Sequence, residues 1–220
     1  MSGAVQLALA IGPLATYVYI VAAFHSGRRP RVVSGLVDYL LLLFGLSGLV
    51  LFGPVGWLLV SHAGGPPGLL HFAALASALG LLAVPFVPRA CRRLVVYNVD
   101  PVSFERALRE AVEGLHNPFV KTLRGYDDPA HARGLQAEAH AWMRTAVVET
   151  YGQDAEPLAA SIAASLRDRF RRHPLAGPSP VAWGLLGVCL GLIVPVLIVV
   201  LTRPQAQAVW RALMHRLNGG

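Results

Sequence analysis

Apolar residues are concentrated in four long runs, which are separated by polar stretches. Each run is long enough, as a helix, to cross a hydrocarbon core of roughly 30 Å. The runs are Ala4–Phe24, Val33–Val60, Leu69–Val87 and Val181–Leu201. The pattern predicts an α-helical polytopic membrane protein with four transmembrane helices.

The long segment between the third and fourth runs is rich in polar residues. Residues 91–178 carry 11 of the 12 acidic residues of the chain, so we expect them to form a water-exposed domain. The predicted division is a three-helix transmembrane region over residues 1–90, a soluble α+β domain over 91–178, a fourth transmembrane helix over 179–202 and a tail over 203–220.

Short elements with alternating or amphipathic patterns fill this predicted domain. Asp100 and Pro101 are typical of a helix start, and apolar residues at helical spacing follow as far as about Gly114. A second amphipathic helix is expected over about Asp154–Arg172. Strands are expected in the stretches RLVVYNV, FVKTLR, LQAEAHA and TAVVETY. The order β-α-β-β-β-α predicts an antiparallel sheet with helices on one face.

The charge pattern predicts the orientation in the membrane. Arginine clusters follow the first run, end the third and precede the fourth, and basic residues close to a span are held in the cytoplasm. We therefore expect the first loop and the soluble domain on the cytoplasmic side and both termini outside. The net charge is +7, but residues 91–179 hold 12 basic and 11 acidic groups. The excess lies at membrane edges and does not indicate nucleic-acid binding.

For two segments next to the predicted membrane, the sequence allows more than one structural interpretation. Gly53, Pro54 and Gly56 interrupt the second run, so segment 53–68 is re-entrant, interfacial or part of the second helix. The tail has apolar residues at helical spacing, which predicts an amphipathic helix lying in the interface. A helix that binds a partner protein is the alternative for the tail. The expected interfacial anchors are Trp57, Trp183 and Trp210.

Asp38 is the only acidic residue inside an apolar run. An ionised carboxylate near lipid is costly unless it is paired or hydrated. Ser34, Arg31 and Arg89 lie on the same predicted side, so an intramembrane ion pair that fixes helix packing is the favoured interpretation. A proton or ion relay is the alternative, although the other runs supply no polar path.

Small residues recur within the runs and favour close helix packing. The sequence GLSG at 45–48 also has the pattern found around the serine nucleophile of rhomboid-type intramembrane proteases, and His71 lies in the next run. The other motifs of those enzymes are missing, so packing is the preferred interpretation. The expected packing positions are Gly45, Gly48, Ala76, Gly80, Gly187 and Gly191.

No set of residues has the spacing of a known active site. The eight histidines are dispersed without HxxxH or HExxH spacing, and the two cysteines form no CxxC. Glycine-rich nucleotide-binding motifs are missing as well. The stretch YDDP at 126–129 is typical of a turn, with Arg124 and Arg133 available to pair with its carboxylates. We expect no catalytic residue, no metal and no cofactor.

Three stretches carry a resemblance to other proteins: RRPRVVSGLVD at 28–38, LSGLVLFGP at 46–54 and VVYNVDP at 95–101. In them the chain resembles a group of bacterial multi-pass membrane proteins to which no activity is assigned. The resemblance implies a protein of the bacterial cytoplasmic membrane with a small soluble domain, and it transfers no site residues. The excess of arginine over lysine is compatible with a GC-rich bacterial genome.

These patterns favour a non-enzymatic membrane component, namely a scaffold or an accessory subunit of a larger membrane protein complex. Its expected partners are the lipid bilayer and other membrane protein subunits, with homo-oligomerisation left open and nucleic acid excluded. A small transporter or membrane sensor that uses Asp38 and the basic first loop is the alternative.

Overall fold

Three helices in the described part of the chain are long and apolar enough to cross a membrane. A computed structural model describes residues 3–54, 56, 58, 69–115, 119–172, 177 and 179–202. The three candidate spans are Val5–Ser26, Leu70–Cys91 and Pro180–Leu201. The prediction of four transmembrane helices is therefore wrong.

The helix that the structure describes at the start of the second apolar run is shorter than a span. Helix α1 (Gly3–Ser26) leads into a strand, β1 (Arg31–Ser34), and helix α2 (Gly35–Leu51) begins only after that strand. The 17 residues of α2 extend about 25 Å at 1.5 Å per residue, which is less than the hydrocarbon core. Val33 and Ser34 belong to the apolar run, but they pair with another strand in a sheet and therefore do not extend the helix.

The third candidate span changes its helical geometry near its end. Helix α3 (Leu69–Ala83) continues through a 3-10 turn at Val84–Phe86 into the short α4 (Val87–Cys91). Each of the two short elements has a proline in its first two positions. Proline is tolerated there because the first N–H groups of a helix have no partner within it.

A six-stranded antiparallel sheet forms the centre of the domain. Strand β1 lies at one edge, although it comes from the loop between α1 and α2. The strand order is β1-β2-β6-β5-β4-β3. The other strands are β2 (Arg93–Tyr97), β3 (Val120–Lys121), β4 (Gly125–Asp128), β5 (Arg133–His140) and β6 (Thr145–Gly152).

The strands after α4 differ from the predicted order. The stretch at 125–128 is a strand and not a turn, and its alternate residues Tyr126 and Asp128 are buried. Of the predicted strand FVKTLR, only Val120–Lys121 pairs. The domain therefore has the order β-α-β-β-β-β-α, with a further strand supplied by the first loop.

Two amphipathic helices pack on one face of the sheet. They are α5 (Pro101–Glu113) and α6 (Ala155–Arg172), at the positions that the sequence predicts. The side chain of Asp100 caps α5 by accepting a hydrogen bond of 2.9 Å from the backbone N–H of Ser103. The core between helices and sheet includes Phe104, Leu108, Leu135, Val148, Ile162, Leu166 and Phe170.

The described residues divide into two compact units. The first is drawn from Met1–Val18, Phe44–Leu79 and Leu186–Gly220, and the second from Tyr19–Leu43 and Gly80–Leu185. The second unit contains the sheet. It also contains residues of α1, α2 and α3 that the sequence assigns to the transmembrane region.

Within the first unit, the last helix contacts the first. This helix is α7 (Pro180–Leu201), and the thiol of its buried Cys189 donates to the backbone oxygen of Ala15 at 3.4 Å. The predicted tail at 203–220 with Trp210, Trp57, and most of segment 53–68 lie outside the described residues.

Candidate functional site

Asp38 lies in the first turn of α2. Its carboxylate accepts a hydrogen bond from the hydroxyl of Tyr97, the last residue of β2. The start of α2 is capped by Ser34, whose hydroxyl accepts a hydrogen bond of 3.4 Å from the backbone N–H of Val37. The carboxylate is thus held by a tyrosine hydroxyl and by the positive end of the helix dipole.

The structure does not bring the predicted ion pair together. Neither Arg31 nor Arg89 pairs with Asp38 in the described ranges. The guanidinium carbon of Arg31 lies 5.9 Å from the centre of the Phe24 ring. Arg89 is exposed in α4. Of the predicted group, Ser34 lies with Asp38 at the start of α2, where it caps the helix and does not contact the carboxylate through any described hydrogen bond.

Tyr97 also packs against the end of α1. Its ring centre lies 5.2 Å from that of Phe24 and 5.4 Å from that of His25, which it meets edge to face. The His25 side chain is buried, and its Nδ1 has no hydrogen-bond partner in the part of the chain that the structure describes. Tyr97 is therefore the residue at which β2, α1 and α2 meet.

Asn98 joins two further segments at the same place. Its φ of 58° lies in the left-handed region, which asparagine adopts more readily than most residues. Its fully buried side chain donates from Nδ2 to the backbone oxygens of Gly27, at 2.6 Å, and Gly177, at 3.3 Å. Just before α7, the backbone N–H of Ser179 donates to the His25 oxygen at 3.3 Å.

We name His25, Asp38, Tyr97 and Asn98 the juncture cluster, because they join the end of α1, the start of α2, the sheet and the segment before α7. Its members form hydrogen bonds and ring contacts that fix one arrangement of these segments. The four side chains include no serine, cysteine or threonine nucleophile. Among the described residues, no group of three His, Cys, Asp or Glu is placed to hold a metal ion.

Two of the predicted packing glycines lie where α2 meets α1. A Cβ on Gly48 would lie 2.6 Å from the backbone oxygen of Ala10, and one on Gly45 would lie 2.8 Å from the Tyr17 Cβ. Only glycine permits this approach of the two helices. Ser47 lies between them, and its hydroxyl donates to a backbone oxygen one turn earlier, a common use of serine in a helix.

The other predicted packing residues face open space. Apart from the backbone of its own helix and the adjacent residues, no described atom lies within 4 Å of a Cβ placed on Gly80, Gly187 or Gly191, and Ala76 is exposed. Trp183, near the start of α7, is 74% exposed. The glycines lie in the candidate spans Leu70–Cys91 and Pro180–Leu201. In the most apolar stretch of each of these spans only 6% is buried, against 22% in Val5–Ser26.

The acidic stretch at 126–129 holds a buried carboxylate. The Oδ2 atom of Asp128 lies 2.8 Å from the Nδ1 of His131, and the same oxygen accepts a hydrogen bond of 3.1 Å from the Nε of Arg133. Burial alone would raise the pKa of Asp128, but the contacts with His131 and Arg133 outweigh it, so the pKa lies below its ordinary value. Arg124, the other expected partner, makes no ion pair with the described residues.

The juncture cluster was only partly visible in the sequence. Asp38 stands out because it is charged within an apolar run, whereas His25, Tyr97 and Asn98 have no mutual spacing that indicates contact. Tyr97 and Asp38 are 59 positions apart. The one local signal is an asparagine directly after a predicted strand, where a left-handed residue often ends the extended chain.

No family model, no curated protein and no solved structure matches the chain.

Proposed function

We propose that the chain is a non-enzymatic integral membrane component that acts as a scaffold or accessory subunit of a larger membrane protein complex. The uncovered surface of α7 carries this proposal. The side of α7 that contains Ala182 and Cys189 is buried against the chain itself. The side that contains Val188 and Ile198 is more than half exposed.

The exposed side of α7 has the features of a helix-packing surface. Gly184, Gly187 and Gly191 lie in this helix with open space around their α-carbons. In a bilayer, apolar surface alone does not drive helices together, since lipid tails are equally apolar. Small residues allow backbones to approach closely, which favours a second helix over lipid at this surface.

The proposed location is the bacterial cytoplasmic membrane, with the sheet on the cytoplasmic side. Because β1 and β2 pair in one ladder, the first loop and the domain must lie on one side of the membrane, so the chain between these strands crosses it an even number of times or not at all. The arginines of the first loop favour the cytoplasmic side for both.

Photo-crosslinking in native membranes tests the proposal. A photoreactive amino acid in place of Val188 should capture a specific membrane protein in fixed proportion, and mass spectrometry identifies it. The variant Gly187→Leu/Gly191→Leu should abolish the crosslink, because the larger side chains block close approach. Gly12→Leu is the matched control, since Gly12 also faces open space, but on α1. Crosslinks to lipid alone, or an adduct that survives the double substitution, contradict the proposal.

A membrane sensor is the second candidate, and the bond between Tyr97 and Asp38 favours it. This bond connects the first turn of an apolar helix to the sheet, so movement of α2 would reach the domain. Asp38→Asn distinguishes the two functions. A sensor should remain folded and lose a cellular response, whereas a scaffold should lose stability or assembly.

A further inference from the structure

A cleft of about 690 Å³ lies between the first loop and α6. Its walls come from the end of α1, from β1 and from the last two turns of α6. The arginines that line it are Arg28, Arg29, Arg31, Arg167 and Arg171. No acidic side chain is among the described residues that line it.

These five arginines have no carboxylate partner among the residues that the structure describes. Two other arginines of α6 do have carboxylate partners. Arg169 pairs with Glu110 at 2.5 Å, and Arg172 pairs with Asp168 at 2.5 Å. The sequence thus neutralises the arginines of α6 that lie away from the cleft and leaves the cleft positive.

Two of the five arginines are held in place by contacts within the cleft. The guanidinium of Arg31 lies over the ring of Phe24, and the Nε of Arg167 donates to the backbone oxygen of Val32 at 3.4 Å. Arginine groups that are already positioned lose less freedom when an anion binds. The five positive charges that line one cleft repel one another, and a polyvalent anion would relieve that repulsion.

The chemistry of the cleft fits a phosphate group. The planar guanidinium donates two parallel hydrogen bonds to phosphate oxygens, which makes arginine the preferred residue for this anion. The volume is within the usual range of small-molecule sites. Phe24 lies in the last turn of a candidate span, so the cleft opens where α1 would leave the hydrocarbon core.

We infer that this cleft binds the phosphate of an anionic phospholipid headgroup. Basic pockets at the cytoplasmic ends of spans are suited to such headgroups, since the anionic lipids of that leaflet are concentrated there. The site is distinct from the proposed packing surface of α7, and either one can be correct without the other.

The inference is tested by native mass spectrometry of the full chain, released from nanodiscs of phosphatidylcholine with or without cardiolipin. Wild type should retain cardiolipin through the release. Arg167→Gln/Arg171→Gln should reduce the retained fraction by about tenfold or more, because charge-assisted hydrogen bonds to phosphate are lost. Arg106→Gln/Arg109→Gln removes the same charge from exposed positions on α5 and should retain lipid like wild type.

Three results would overturn the inference. Equal retention by the cleft variant and wild type would show that the cleft does not hold the lipid. Equal loss in the α5 control would show that net charge alone is responsible. Binding of soluble glycerol phosphate at the cleft in phosphatidylcholine nanodiscs, with no preference for cardiolipin, would assign the site to a soluble phosphate compound. If the α6 variant fails to fold by circular dichroism, Arg28→Gln/Arg29→Gln, which leaves α6 unchanged, provides the same comparison.

Discussion

The hydroxyl of Tyr97 donates a hydrogen bond to the carboxylate of Asp38, and this bond joins the sheet to the first turn of α2. It explains how the one acidic residue of the apolar runs is accommodated without an arginine partner. A carboxylate at a helix start is further favoured by the helix dipole. The bond therefore gives Asp38 a structural role within the juncture cluster.

Tyr97→Phe should destabilise the protein, because the partly buried Asp38 carboxylate would lose its donor. A hydrogen bond to a charged group contributes about 1.5–3 kcal/mol to the free energy of unfolding, and we expect a loss of that size. Denaturant unfolding in detergent, followed by circular dichroism, measures it. Tyr19→Phe is the control, since Tyr19 is 57% exposed on α1. Equal unfolding midpoints for the two variants would show that the bond carries no stability.

Asn98→Ala should cost about 2 kcal/mol or more in the same measurement. The substitution places a Cβ without a polar side chain at a φ of 58° and leaves the Gly27 oxygen without its donor. Asn98→Gly separates the two effects, because glycine adopts this φ without strain. We expect Asn98→Gly to be less destabilising than Asn98→Ala, and the reverse order would contradict the assigned backbone conformation.

Gly48→Ala should loosen the contact between α1 and α2. The added methyl group would lie 2.6 Å from the backbone oxygen of Ala10, so one helix must move, at a cost of about 1–3 kcal/mol. Gly12→Ala is the matched control in open space, where alanine should be neutral or stabilising because it is the better helix former. A stabilising effect of Gly48→Ala in detergent unfolding would exclude this helix contact.

Local signals in the sequence predicted the helices of the domain well. Asp100 followed by Pro101 marks the start of α5, and the apolar positions Phe104, Leu108 and Val112 form its buried face. These features depend on residues within a few positions of one another. Single-sequence patterns capture such features because caps and amphipathic spacing are local properties.

The same patterns missed β1, β4 and the juncture cluster, which depend on distant residues. β1 pairs Val32 with Val96, and nothing in RVVS distinguishes a short edge strand from the first turn of an apolar helix. In β4, Gly125, Asp127 and Asp128 are typical of turns, yet pairing with β5 imposes an extended backbone. Pairing of strands overrode local preference in both segments.

The free energy of unfolding should fall in acid, partly because the Asp128 carboxylate becomes protonated. Its pKa lies below the ordinary 3.8, so its stabilising contribution is complete above that value and is lost as the pH falls through the lower pKa of the folded state. Asp128→Asn should remove this part of the acid dependence and lower stability at neutral pH. Unfolding midpoints measured across the acid range test this. Asp168→Asn is the control, since it removes an exposed ion pair, with a side chain that is 57% exposed, and should change stability at neutral pH only a little.

Tyr151 should titrate later than an ordinary tyrosine. The hydrogen bond that its hydroxyl donates to Asp127, together with burial and the carboxylate charge, raises its pKa to about 12. Its stabilising contribution is complete below pH 10.0, the ordinary value, and is lost as the pH rises towards about 12. Asp127→Asn should return the pKa towards the ordinary value in a phenolate absorbance titration. An unchanged titration curve in this variant would contradict the contact.

The pairing of β1 with β2 requires the first loop and the rest of the sheet to share one aqueous side, and sidedness labelling tests this pairing most directly. Single cysteines replace Arg29 or Leu123, both exposed, in a chain whose native cysteines are changed by Cys91→Ser and Cys189→Ala. In sealed vesicles of one orientation, a membrane-impermeant thiol reagent should label both positions or neither, whereas a permeant reagent labels both. Labelling of one position without the other would place β1 and the rest of the sheet on opposite sides and contradict the pairing.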